Sequence, residues 1–501
     1  MTPVAVLSAT DSLQAAKMLR DIAGSSWMRP KGVIAEVRLD YFAVADLSFL
    51  DDAPVPVIVS CRRPRDGGRF RGTEADRIVL LKDAAKRGAT YIDIESDCLA
   101  ALGGVGEAKC IVSHHDFEIV PVDLDGLVAK LRGPTVAMVK VAARLRTLTD
   151  IVAVAMTLRR HKGHVTFVGT GPTGLVSRTL ADRLGSAWTY GAWVDPQSPI
   201  DTTLVASGVP PLPDLLSLHQ PGNDVGIAAA FAVVGSSAHE SIGPWAWNRF
   251  FRKLQIPASY VSLTAPSLVG LREAAAILGI RGISITSPFK LAAIDAADEL
   301  TPRVKLIGAT NTLVNENGKW AAHNTDVEGF AVPIREALKA QGRDVREVRA
   351  LVVGAGGAGR AALFACKSLG LNVTLSVRDG WKAAPVAELF SVPLVAARAV
   401  PARTFDLVVN ATPAGSSRDP NGSAVDLAWL TPESLVVESN YRPRETRLVK
   451  EAMAAGHRVI RGESIFEAQG FAQAHLFWGG LAPTSNLEFA ESVQWAMSRC
   501  T

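Results

Sequence analysis

Ile283–Lys290 reads ISITSPFK, Ile307–Val314 reads IGATNTLV, and His323–Phe330 reads HNTDVEGF. In each stretch an apolar, strand-like run meets Thr, Ser, Asn, Asp or Lys. Any one of them alone reads as an ordinary strand end. Three in succession predict polar side chains gathered at the mouth of a sheet, where α/β proteins bind ligands. Lys290 and Asp326 have the complementary chemistry of a proton donor and the carboxylate that holds it.

Downstream, Ala350–Gly370 reads ALVVGAGGAGRAALFACKSLG. A strand is expected to end at Val353 and a helix to begin near Gly359. Between them Gly354, Gly356 and Gly359 make G-x-G-x-x-G, with Gly357 and Ala358 completing the turn. Such glycines permit a tight turn and close approach of backbone to a pyrophosphate at the helix N terminus. The motif alone is weak. Here a second strand, Asn372–Val377, follows at the right distance. It ends on Arg378, which suits the 2′-phosphate of NADP, and then on Asp379, an acid of the kind that favours NAD. NADP is the expected cofactor.

Upstream, eight apolar or β-branched runs recur before residue 200: Val4–Ala9, Val33–Leu39, Val55–Cys61, Thr90–Glu95, Cys110–His114, Val136–Val141, Val165–Gly169 and Ala187–Trp193. Helical periodicity separates most of them, at Ser12–Ala23, Ala75–Arg87, Leu148–Arg160 and Leu175–Leu184. Alternating strands and helices imply a parallel sheet, and eight units of this size fit a (β/α)8 barrel. Charged residues sit late in the runs: Glu36 and Arg38, Arg62, Asp93 and Glu95, His114 and His115, and Lys140, with Arg178 after a Gly-rich turn. Barrel active sites form at that end. Lys140 lies in the apolar run MVKVAA, where desolvation favours the free amine. A free amine attacks a ketone to form a Schiff base. His115 is placed to move protons with Glu95 orienting it, and Arg62 and Arg178 suit a carboxylate.

These motifs resemble two families. The first half resembles type I 3-dehydroquinate dehydratase: EVRLD at Glu36–Asp40, CRRPRDGG with Arg62, YIDIE with Glu95, SHHDF with His115, VKVA with Lys140, and G-x-x-G-x-x-SR with Arg178. That resemblance implies dehydration of 3-dehydroquinate to 3-dehydroshikimate, with Glu36 and Arg38 in the substrate site. The family's SAPGQ lid departs here to Val205-Ala206-Ser207-Gly208-Val209, so two hydrogen-bonding side chains are lost and Ser207 is left as the substrate-binding hydroxyl.

The second half resembles shikimate dehydrogenase, whose motifs read NVTxPxK, GAxNT and NTD. The resemblance implies that Ser241, Thr286, Asn311, Thr325, Tyr441 (NYRPRET) and Gln469 (EAQGFAQAHLFWGG) bind substrate, with Lys290 and Asp326 catalytic. It also places Asn410 and Thr412 of NATPAG near the cofactor. Gly243 stands where the family has a second serine and Glu240 where it has a histidine, so tolerance of quinate beside shikimate is expected.

At 501 residues, two or three domains are expected rather than one core. The expected division is a dehydratase-like barrel over 1–222, a substrate-binding domain over 229–335 completed by about 462–501, and a Rossmann-type domain over 345–461, with the main boundary at Gln220–Asp224. A chain 48% apolar and 20% charged is globular rather than disordered. The net charge of +4 is dispersed, so no nucleic-acid partner is expected. No run of about 20 apolar residues predicts a membrane span, and MTPVAVLSAT enters a strand without a leader-like region. Cys61, Cys98, Cys110, Cys366 and Cys500 are scattered and form no C-x-x-C, so reduced, cytoplasmic usage without a metal site is expected. The combined reading is a bifunctional enzyme acting on 3-dehydroquinate, 3-dehydroshikimate and shikimate. The alternatives are a quinate/shikimate dehydrogenase with a silent barrel, or a metabolite sensor built on these folds.

Overall fold

The computed structural model describes residues 1–25, 32–194, 210–219, 229–378, 380–479 and 485–499. Contacts divide the chain into two compact units, Met1–Ala228 with Val261–Ile280 and Ala229–Tyr260 with Arg281–Thr501. The boundary expected at Gln220–Asp224 lies outside the described residues.

The eight apolar runs of the first half become eight strands: β1 (Thr2–Leu7), β2 (Ile34–Arg38), β3 (Val57–Ser60), β4 (Tyr91–Glu95), β5 (Lys109–Asp116), β6 (Val136–Arg144), β7 (Val165–Thr170) and β8 (Trp188–Ala192). They pair in the order β7-β6-β5-β4-β3-β2-β1-β8. The two end strands meet where the Ala187 N–H donates to the Val165 carbonyl at 3.0 Å and the Thr166 hydroxyl to the Trp188 carbonyl at 2.9 Å. This rolls the sheet into a (β/α)8 barrel.

Side chains alternate across each strand. Val4, Ile34, Ile58, Ile111, Met138 and Trp188 pack together as an apolar floor inside the barrel. Two residues further along the same strands come Glu36, Ser60, Ser113, Lys140 and Tyr190. Helix Glu74–Lys86 opens on a capping box between Thr73 and Asp76 and delivers fully buried Arg77 to the strand ends.

One expectation fails locally. Leu175–Leu184 is not a continuous helix but a 3₁₀ turn, Pro172–Leu175, followed by the short helices Val176–Thr179 and Ala181–Leu184. The Thr189 hydroxyl of β8 donates to the Arg178 carbonyl at 2.9 Å, and Leu180 leaves the helical region at φ −119°. A strand side chain has captured an acceptor that helix continuation needs.

The second unit carries two six-stranded sheets. The first is mixed, built from β9 (Ala229–Gly235), β10 (Ala258–Thr264), β11 (Ile280–Ile285), β12 (Glu299–Leu300), β13 (Thr312–Glu316) and β14 (Lys319–His323), in the order β10-β9-β11-β13-β14-β12. The second contains β15 (Arg349–Val353), β16 (Asn372–Val377), β17 (Leu394–Ala396), β18 (Phe405–Asn410), β19 (Leu430–Glu438) and β20 (Arg458–Ile460). Its neighbours are all parallel and ordered β17-β16-β15-β18-β19-β20. That is the doubly wound dinucleotide order, with its switch point between β15 and β18. The glycine turn follows β15 and Asn410 ends β18, so both face that crevice.

Candidate active sites

Lys140, from β6, is 2% exposed. Its Nζ lies 2.9 Å from Asp93 Oδ2 and 3.1 Å from Glu36 Oε2, and 4.3 Å from the centre of the Tyr190 ring. Glu36 also accepts from the Ser60 hydroxyl at 2.8 Å and from Arg62 at 3.0 Å, and Arg62 reaches Asp93 at 3.6 Å. Burial raises the Glu36 pKa. The charges of Lys140, Arg62 and Arg38, with the Ser60 hydroxyl, outweigh burial and hold the carboxyl well below the ordinary range.

His115 lies near the end of β5, the strand paired with the one that carries Lys140. Burial first, then the charges of Arg62, Lys140 and Arg38, hold its pKa well below the usual imidazole value, so the ring is neutral. Arg178 is buried, donates to the Tyr190 carbonyl at 2.8 Å, and has no carboxylate partner among the described residues. Burial draws its pKa down to about 10. Six buried polar atoms here lack a hydrogen-bond partner: Arg62 Nε, Asp93 Oδ1, both ring nitrogens of His115, Arg178 Nε and the Tyr190 hydroxyl. Orphaned buried polar atoms are rare in folded proteins, and a cluster of them marks a place made for a polar ligand.

One expected partnership is absent among the described residues. Glu95 does not orient His115. Its carboxylate accepts from Arg77 at 2.6 Å, and the His115 nitrogens make no hydrogen bond. Buried Arg77, fixed by the capped helix, is the stronger partner for a buried carboxylate. Arg38 is held bidentately by Asp40, at 2.8 and 2.7 Å. Ser207, with Val205 and Val209, lies outside the described residues.

In the second unit a cavity of about 570 Å³ is lined by Ser241, Thr286, Asn311, Tyr441 and Gln469, expected to bind substrate, by Lys290 and Asp326, expected to be catalytic, and by Gly356, Gly357, Ala358 and Thr412, expected near the cofactor. The Lys290 amine is paired with Asp326 Oδ2. Asp326 opens helix Asp326–Ala340, where the helix dipole favours a carboxylate. Its other oxygen accepts from Asn311 Nδ2 at 2.9 Å, which also reaches the Thr325 hydroxyl at 3.0 Å and Gln469 at 3.4 Å. Asn311 Oδ1 accepts from the Thr325 N–H at 2.8 Å. Ser241 Oγ accepts from the Gly243 N–H at 3.0 Å.

The glycine turn has two distinct demands. Gly354 sits at φ +110°, and a Cβ on Gly359 would lie 1.9 Å from the Gly354 carbonyl oxygen. A Cβ on Gly356 would meet nothing within 4 Å, which leaves the face toward a phosphate clear. A Cβ on Gly357 would lie 2.5 Å from Cβ of Lys290. Arg378 is exposed at the end of β16, whereas Asp379 lies outside the described residues. The glycine turn at the helix N terminus fits the pyrophosphate of a dinucleotide.

Several site residues carried no sequence assignment. Asp93 shares a strand face with Glu95 and was legible only as a strand end. Tyr190 is hidden in an apolar run. Gln473, whose amide donates to the Thr312 hydroxyl at 2.8 Å, lies one helical turn beyond Gln469, a spacing that reveals it. Tyr260 and Ser284 join it through bonds of 2.6 and 2.9 Å.

The family model for type I 3-dehydroquinase matches residues 17–215, and that for the shikimate dehydrogenase substrate-binding domain matches residues 233–313. The bifunctional 3-dehydroquinate dehydratase/shikimate dehydrogenase of Arabidopsis thaliana, described as chloroplastic, is 30% identical over 488 residues, spanning 90% of this chain and 78% of that protein. The chain belongs to this bifunctional family. Its second half is 38% identical over 259 residues to a shikimate dehydrogenase (NADP(+)) of Thermus thermophilus, covering 50% of this chain and 93% of that one. A solved shikimate 5-dehydrogenase of Thermus thermophilus, in complex with NADP(H) and shikimate, is 33% identical, covers 54% of this chain and 99% of its own, and superposes with a TM-score of 0.48. Among the described residues of this family member, no helix is long and apolar enough to cross a membrane.

Proposed function

We propose that the chain performs two successive steps: Schiff-base dehydration of 3-dehydroquinate to 3-dehydroshikimate, then NADPH-dependent reduction to shikimate. The first is the work of the barrel, about 1–222. Residues 229–335 with about 462–501 hold the second substrate, and 345–461 hold NADP. One observation carries this reading: each unit seats one lysine amine on a carboxylate inside a polar site, Lys140 on Asp93 and Glu36, and Lys290 on Asp326.

In the barrel, the Lys140 amine attacks the ketone carbon, and the ketone oxygen leaves as water. The resulting iminium withdraws electrons from the neighbouring C–H. Neutral His115 takes that proton and returns one to the departing hydroxyl, which leaves as a second water. Hydrolysis of the imine frees the amine. Arg178 and Arg62 hold the substrate carboxylate, and Glu36 and Asp93 hold the charge on nitrogen.

In the second unit, Gly354, Gly356, Gly357, Ala358 and Gly359 hold the pyrophosphate and Arg378 the 2′-phosphate. Asn410 and Thr412 shape the adjoining loop. When bound, NADPH supplies the hydride for the ketone carbon. Lys290 donates the proton to its oxygen, with Asp326 fixing the amine. Ser241, Thr286, Asn311, Thr325, Tyr441 and Gln469 hold the ring substituents.

The test is to supply 3-dehydroquinate and NADPH together. Shikimate formed with matching loss of NADPH is expected. Absence of 3-dehydroshikimate and shikimate alike overturns the reading.

A further inference from the structure

Glu438 ends β19 beneath the loop that follows Asn410. It is fully buried, and no basic side chain among the described residues pairs with it. Burying an unpaired carboxylate is expensive unless hydrogen bonds replace its hydration. Here every replacement is a donor. Oε1 accepts from the Asn440 N–H at 2.8 Å, Asn440 Nδ2 at 2.9 Å and Asn410 Nδ2 at 3.1 Å. Oε2 accepts from Asn410 Nδ2 at 3.0 Å and the Thr446 hydroxyl at 3.1 Å. Thr446 Oγ1 already accepts the Val449 N–H at the start of helix Arg447–Ala454, so its proton is free for the carboxylate.

The shell fixes two side-chain amides. Asn410 Nδ2 serves Glu438 and also donates to the Ala414 carbonyl at 3.2 Å, which leaves its Oδ1 to accept from the Thr412 N–H at 3.1 Å and hydroxyl at 2.7 Å. Thr412 Oγ1 in turn accepts from the Ala414 N–H at 3.3 Å. Asn440 Nδ2 also donates to the carbonyls of Thr412 and Ala414, both at 3.0 Å. Ala411, Thr412, Pro413 and Asn440 line the cavity that holds Lys290. A carboxamide has the same shape as a carboxylate, but it would turn an N–H₂ toward a donor.

We propose that Glu438 is a positioning residue for the dinucleotide: its acceptor-only carboxylate sets the Asn410 and Asn440 amides and thereby the cavity wall formed by Ala411–Ala414. The proposal rests on the reading that this cavity takes NADP(H).

The test compares E438Q and E438D in the full chain, titrating NADPH by fluorescence, with thermal unfolding to verify that the second unit is folded and dehydratase turnover by the barrel as the internal control for active concentration. E438Q is expected to raise the NADPH Kd roughly tenfold or more, the effect of one donor left facing a donor in a buried site. E438D, still an acceptor only, is expected to recover part of that loss, and the control to stay unchanged. A wild-type Kd in E438Q, or equal losses in E438Q and E438D, overturns the proposal. Should E438Q fail to fold, an unaltered Kd in E438D overturns it instead. A wild-type chain that binds no NADPH would remove the underlying reading as well, which separates the two failures.

Discussion

The two lysines live in opposite surroundings. Lys140 is sealed in the barrel among six polar atoms that lack partners, whereas Lys290 borders an open cavity whose supporting amides and hydroxyls are already bonded to one another. An amine that forms a covalent bond with substrate sits in a site completed by that substrate. An amine that only hands over a proton sits in a site complete before substrate arrives. The barrel therefore stores its recognition in unsatisfied groups, and the dehydrogenase stores it in a rigid network.

The sharpest way to break this contrast is Lys140→Ala. It is expected to abolish dehydration and borohydride trapping of 3-dehydroquinate while reduction of supplied 3-dehydroshikimate continues. A surviving covalent adduct on the K140A chain would refute the assignment. Lys290→Ala should lower kcat for reduction about 10²- to 10⁴-fold, the range for a lost general acid, and leave dehydration intact. Equal losses in both reactions would mean that the variant damages folding rather than proton transfer. Arg178→Ala should raise the KM for 3-dehydroquinate about 10- to 100-fold, as expected for lost charge-assisted hydrogen bonds. A loss confined to kcat would move Arg178 from binding to chemistry. The smallest effect is expected at Gly243, where a Cβ would lie 3.1 Å from Ser241 Oγ and 3.2 Å from the Tyr260 ring. Gly243→Ser should shift the quinate-to-shikimate oxidation ratio a few-fold toward shikimate, within the about 1–3 kcal/mol that pocket contacts control. No measurable quinate oxidation by the unaltered chain would end that idea.

Strand periodicity made both folds legible, because inward residues recur at i and i+2 and the glycine turn has a fixed place after β15. The polar positions were legible for the same reason: Glu36 and Lys140 interrupt apolar strands, Arg62 follows one, and Asp326 opens the helix after another. What escaped was pairing across the sequence. Glu95 and His115 looked like partners because both lie at the ends of barrel strands, but Arg77, read only as part of a helical run, takes the Glu95 carboxylate. The helix break near Leu180 escaped because its cause, Thr189, comes from a later strand. Glu438 escaped because an acid at a strand end, without a cation nearby in sequence, announces nothing about the donors that fold around it.

Gly357 has a consequence beyond nucleotide binding. With so little space between its α-carbon and the stem of Lys290, even a methyl group there would lever the amine away from Asp326. An alanine at 357 would thus present as a damaged nucleotide loop while its lesion fell on acid catalysis. One missing side chain leaves room for two things at once, the turn around a phosphate and the stem of a proton donor.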